Sequence, residues 1–271
     1  MVPVILDRRI RLATVISFVV MLLANYGANA LRLNGMSTAA VSNIYQNPLT
    51  PAGFTFAIWG LIYALLLLHV LFACGLFKEA RFSLSTADAD RIESAFAVSS
   101  FANAAWILAW QYLLIPLSVM LITVIFICLI IIAAALRKTR LSTRETFLIQ
   151  VPFSIYLGWI TVAMLQNVCV LLASLGAWSV QEPSLDILAV LILIMGLVVV
   201  AVLARANLEV AYPLVAIWAY VGILIHHVSL TGNMGPRAAI VVTLGVCIAV
   251  FVAIAVAVHF KQMHAKTVGL Q

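Results

Sequence analysis

Eight long apolar runs, each near the ~20 residues that a bilayer core requires, leave this chain few folds to choose from. They cover about residues 11–30, 52–77, 93–113, 116–136, 146–175, 186–204, 212–230 and 237–260. Hydrophobic residues are 65% of the chain and charged residues 9%, against roughly 45–50% and 25% in a soluble domain. So much apolar surface cannot be hidden inside a globule in water, and lipid is the solvent. The runs are long and lack the short alternating pattern of a barrel, so they read as helices that close their own backbone hydrogen bonds. The fold class is all-α: a polytopic membrane helical bundle of about eight transmembrane helices. The third and fourth runs form a hairpin that breaks before Pro116, and Pro152 predicts an interfacial turn at the start of the fifth.

Lys and Arg set the orientation. Arg8, Arg9 and Arg11 precede the first run. Lys78, Arg81 and Arg91 follow the second. Arg137, Lys138, Arg140 and Arg144 follow the fourth, Arg205 the sixth, and Lys261 and Lys266 the eighth. The opposite side carries only Arg32 and Arg237. This alternation predicts both termini in the cytoplasm; it gives topology and not organism, and a bacterial plasma membrane is the simplest location. It also accounts for the net charge of +6, and no nucleic-acid partner is implied. Ala28-Asn29-Ala30 fits a signal-peptide cleavage pattern, but removal of the first run would break the alternation, so it reads as a helix. Cys74, Cys128, Cys169 and Cys247 lie in apolar runs without CxxC spacing and read as reduced, buried thiols.

The outer loop from Leu31 to Thr50 is polar, and Ser37 is placed to cap a short helix reaching Tyr45. A loop of this length suits either a connector or a lid. Thr50 then reads as N-cap and Pro51 as first helical residue of the second span. Beyond them Phe56, Trp59 and Tyr63 fall at i, i+3, i+7 on one face. The device recurs as Asn103, Trp106 and Trp110 in the third span and as Tyr156, Trp159, Ala163 and Asn167 in the fifth. Amides are costly in hydrocarbon, so Asn103 and Asn167 should face the bundle interior. Two readings compete: interhelical packing and hydrogen bonding, or an aromatic-lined pocket for a large flat ligand.

The stretch from Pro51 to Tyr63, the Asn103-x-x-Trp106-x-x-x-Trp110 pattern and the segment Val151 to Asn167 resemble motifs of the tryptophan-rich sensory protein/translocator protein family, formerly the peripheral benzodiazepine receptors. Order and spacing agree over roughly residues 11–175. Ala57 stands where the family commonly has a proline, and the aromatics upstream of Trp59 are shifted. The resemblance implies a five-helix membrane core over 1–175, with 176–271 as an additional three-helix membrane segment. It implies a pocket for porphyrins, haem or other hydrophobic small molecules. By motif match its residues are Trp59, Asn103, Trp106, Trp110, Tyr156, Trp159 and Asn167, to which the stripe adds Phe56 and Tyr63.

The segment from Pro213 to His227 echoes the second span, since Ala216-Ile217-Trp218 repeats Ala57-Ile58-Trp59. An inverted repeat would fit a transporter, though three residues in so biased a composition are a weak signal. His226 and His227 point about 100° apart on a helix and cannot share one metal. They read as interfacial residues or, more sharply, as an axial haem ligand or proton-sensitive group. His69 reads as a hydrogen-bonded bundle residue. No Asp, Glu, Lys or Arg is expected well inside a span, which weakens a coupled transporter. No catalytic or metal-ligating constellation stands out. Three functions remain: binding or sensing of a hydrophobic ligand, facilitated transport of a small apolar solute, and Trp-assisted breakdown of a bound porphyrin. Ala102, Ala104 and Ala105 would permit close helix contact and so a homodimer.

Overall fold

The computed structural model describes residues 7–76, 84–177, 186–207, 209–229 and 237–267. Lys78, Arg81 and Glu182 lie outside them, as does the side chain of Lys266. The described residues are helical, and eight helices are long and apolar enough to cross a membrane. In chain order they are α1 Arg8–Asn29, a short α2 Thr38–Ile44, α3 Ile58–Ala73, α4 Thr86–Gln111, α5 Ile115–Leu136, a brief α6 Thr143–Glu145, α7 Val151–Ser174, α8 Asp186–Asn207, α9 Ala211–Val228 and α10 Ala238–Thr267. A π-helical turn, Thr146–Gln150, joins α6 to α7, so Thr143–Ser174 is one span.

Local chemistry explains most ends. Ser85 caps α4 through the Asp88 N–H, and Ser142 with Glu145 forms a capping box at α6. Gly75 and Gly176, both at positive φ, close α3 and α7 with paired 6→1 and 5→2 bonds. Leu113 closes α4 the same way without glycine, at φ 59°, and so makes the hairpin turn before Pro116. Ser37 accepts from the Ala40 N–H and starts α2, as its position predicts.

Two expected helix starts are different in the structure. Thr50 does not cap the second span, and Pro51 is not its first residue. Thr50 closes a turn with Asn47, its hydroxyl accepting from the Asn47 N–H at 3.2 Å. The next residues run extended, and Ala52 donates its N–H to the Gly222 carbonyl of α9 at 3.0 Å. A 3-10 turn, Gly53–Ala57, then leads into α3. A tertiary hydrogen bond to α9 has outcompeted the local cap. Pro152 makes no interfacial turn either. It sits near the start of α7 within the continuous span, immediately after the π turn.

α4 lies between α1 and α5, and α5 packs on α7. Thr14 bonds Glu93 and Asn25 bonds Asn103, so α1 and α4 run parallel in register. This agrees with the like direction that the basic residues assign them. α8, α9 and α10 pack together, with α9 also against α7. Glycines permit the approach. A Cβ on Gly158 would lie 3.0 Å from the Tyr212 carbonyl, and one on Gly196 would lie 2.4 Å from the Tyr220 hydroxyl. An ion pair between Arg237 and Asp186 joins the start of α10 to that of α8. Ala102 and Ala104 are buried inside the chain, and only Ala105 of the three faces outward. The contact face expected for a homodimer is therefore largely consumed within one protomer.

Candidate ligand-binding site

All three aromatic stripes meet at Trp59. Its ring lies 5.4 Å from Tyr63, nearly parallel, 5.8 Å from Trp106, and 6.1 Å from both Tyr156 and Trp159. Phe56 stands edge-on to Trp159 at 6.0 Å, and Trp106 stacks on Trp110 at 5.9 Å. These offset and edge contacts are the favourable geometries for aromatic pairs. α3 and its leading turn, α4 and α7 each contribute a face.

The amides point inward, as burial requires. Asn25 donates to Asn103 at 2.8 Å, and Asn103 donates to the Tyr156 hydroxyl at 2.9 Å. Asn167 accepts from the Trp106 indole at 3.2 Å and from Ser118 at 3.1 Å. The Trp110 indole donates to the Thr38 carbonyl, which ties α2 to the bundle. Asn103 and Tyr156 thus brace the ring cluster from behind and line neither of the cavities described next.

Trp59 and Phe56 form a partition between two spaces. Behind it a small cavity, bounded by Trp106, Trp110, Trp159, Gln166 and Asn167, leaves about 30 Å³, room for one or two water molecules. In front lies a groove of about 630 Å³ between α1, the start of α2 and α3. Phe56, Trp59 and Tyr63 face Leu22, Asn25, Tyr26 and Asn29 across it. The Tyr63 hydroxyl, the Trp159 indole N–H and Gln166 Oε1 are buried without a hydrogen-bond partner among the described residues.

Several of these residues escaped the sequence reading. Asn25 and Asn29 sit at i, i+4 in the first span, the same kind of signal that singled out Asn103 and Asn167. Asn29 also holds α2, accepting from the Thr38 hydroxyl at 2.8 Å. Ala219 and Ile223 of α9 wall the small cavity, and no local pattern marks them. α9 is fastened there by Trp218, which donates to the Thr55 carbonyl at 3.0 Å, and by His227, whose Nε2 donates to the Pro48 carbonyl at 2.8 Å. His227 is therefore a buried clasp on the outer loop, not an interfacial residue. Trp218 is 37% exposed where Trp59 is 9% exposed, so the echoed segments occupy unlike environments.

One expectation is overturned. Glu93, seven residues into α4, is buried and lies 3.0 Å from His69 Nε2. An ionisable pair does sit inside the bundle. The apolar run began at Glu93 itself, so the residue looked terminal, whereas α4 starts a full two turns earlier.

No curated protein and no solved structure matches the chain. A family model described as TSPO-like protein matches residues 11–257. A match that begins in α1 and ends in α10 takes in every span, and the chain therefore belongs to the TSPO-like protein family.

Proposed function

We propose that this integral membrane protein binds a flat, largely apolar small molecule in the groove beside Trp59, with a tetrapyrrole as the ligand class to try first. The observation that carries this reading is the groove of about 630 Å³ with three aromatic rings on one wall and two amides on the other. Binding sites for such molecules run roughly 300–1,000 Å³, mostly apolar with a few placed polar groups. The small cavity behind Trp59, at about 30 Å³, is an order of magnitude too small. In this reading Phe56, Trp59 and Tyr63 touch the ligand. Trp106, Trp110, Trp159, Asn103, Tyr156 and Asn167 hold Trp59 in place. The first five spans form the binding core, and the last three buttress it through α9. The bias of basic residues supports a reading with both termini in the cytoplasm.

The test is quenching of tryptophan fluorescence by protoporphyrin IX and by haem, in detergent, beside an unrelated membrane protein. Saturable quenching at low micromolar ligand is expected in the wild type. Trp59→Phe and Asn25→Ala should weaken it several-fold, and Trp159→Phe should weaken it less. Linear quenching, or equal affinity in all variants, sinks the reading.

One observation favours a second function, transport of a small apolar solute. The buried Glu93–His69 pair supplies the intramembrane ionisable group that coupled carriers use.

A further inference from the structure

The same pair has a chemistry that can be derived atom by atom, whichever function the groove serves. His69 Nδ1 lies 3.1 Å from the Leu148 carbonyl. A carbonyl only accepts, so Nδ1 carries a hydrogen. The carbonyl is free for this because of Pro152. In an α-helix the N–H four residues on would take it, and proline has none. The π turn Thr146–Gln150 lies at the same place, a feature often found at functional sites. With Nδ1–H fixed, neutral His69 presents a bare lone pair at Nε2, which faces Glu93 Oε1 at 3.0 Å. The other carboxylate oxygen is already an acceptor, since Thr14 donates its hydroxyl to Glu93 Oε2 at 3.0 Å. Two bare lone pairs at that distance repel. The contact has the distance of an ion pair without the alignment of a hydrogen bond, since Nε2 has no hydrogen-bond partner among the described residues. The repulsion is relieved when the pair holds one proton, on nitrogen as an imidazolium–carboxylate pair or on oxygen as an acid–imidazole pair.

Both side chains are buried, and the His69 ring is edge-on to Phe153 at 4.7 Å and Phe96 at 5.7 Å. In such surroundings the pair is cheapest when its net charge is zero, with one shared proton. That proton sits where four elements meet: Thr14 of α1, His69 of α3, Glu93 of α4 and Leu148 of the π turn.

Two further polar groups lie one turn nearer the basic end. Arg11 is one turn before Thr14 on α1, and Asp90 is one turn before Glu93 on the parallel α4. Arg11 Nε and Asp90 Oδ1 are both buried without a hydrogen-bond partner among the described residues. Glu145, just before the π turn, is engaged with Ser142.

We propose that His69 and Glu93 form an intramembrane proton-binding site where α1, α3, α4 and the π turn meet. Loss of its single proton leaves a bare Nε2 beside a carboxylate and turns the contact between α3 and α4 repulsive.

The test uses the full chain in lipid nanodiscs, with 15N-labelled histidine and 13C-labelled glutamate carboxyls. His69→Gln and Glu93→Gln assign the signals. At neutral pH the wild type should show a proton on Nδ1 and a second proton held by the pair, on Nε2 or on the Glu93 carboxyl. Glu93→Gln should shift the His69 ring signals, and His69→Gln the Glu93 carboxyl signal, as for one coupled pair. A bare Nε2 beside an ionised Glu93 at neutral pH overturns the proposal. So do His69 signals that are unchanged in Glu93→Gln. If that variant does not fold, the wild-type signals decide alone.

Discussion

Gly222 is the residue on which the docking of α9 turns. A Cβ there would lie 2.1 Å from Thr55 Oγ1 and 2.8 Å from Thr55 Cγ2, and Thr55 is fully buried. Gly222→Ala should therefore lower stability by roughly 1–3 kcal/mol, the cost of overpacking a close-packed site. Thermal unfolding in detergent measures it. Adding Thr55→Ala should recover most of the loss, and failure to do so would place the strain elsewhere. Residues of this kind differ in how legible they are. Trp59, Trp106 and Trp159 announced themselves by helical spacing, because large amphipathic rings inside a span have few other uses. Asn25 carried the same signal without being read. Glu93 was misread because its helix continues into polar sequence, where hydropathy no longer follows the helix. Gly222 gave no sign, since what it avoids is a side chain 167 residues away.

Among elements, the α8–α9 junction answers to pH. Glu209 is buried just before α9, its Oε2 accepting from the Ala211 N–H at 2.7 Å. Burial pushes its carboxyl above the ordinary range, only partly offset by hydrogen bonds from Ala211, Tyr212, Ser154 and Val210. The folded chain then binds a proton that the unfolded chain has released above its usual value of about 4.3. Stability from this group is full below that value and is lost as pH rises through the raised one. The melting temperature of the wild type should fall over that window relative to Glu209→Gln. A difference between the two that does not vary with pH would remove Glu209 from the account. The helix cap at Ser37 was read from local chemistry, and the caps at Ser85 and Ser142 obey the same rule, since each is settled within one turn. The start of α3 was not. Thr50 and Pro51 make a plausible cap and first residue, but the Gly222 carbonyl claims the Ala52 N–H.

For the whole molecule, eight spans and their basic residues make a prediction about sidedness. Leu31 lies on the sparsely charged end and Thr143 on the basic end, and both are exposed. With the native chain as blank, a membrane-impermeant maleimide should label Leu31→Cys in intact cells and Thr143→Cys only after lysis. Labelling in the opposite order would invert the topology. The three buried native thiols, Cys128, Cys169 and Cys247, keep the background low.

The sequence by itself determined that this is a helical membrane protein, how many spans it has, and which aromatic residues form its interior stripes. Those are local matters: in lipid each span must satisfy its own backbone, so length, hydropathy and periodicity suffice. Only the tertiary structure decided that the stripes meet at Trp59, that α9 walls the cavity behind it, and that Glu93 stands opposite His69. A buried polar atom takes whichever partner stands opposite at the same depth, and that depends on which helices are neighbours and how they are staggered.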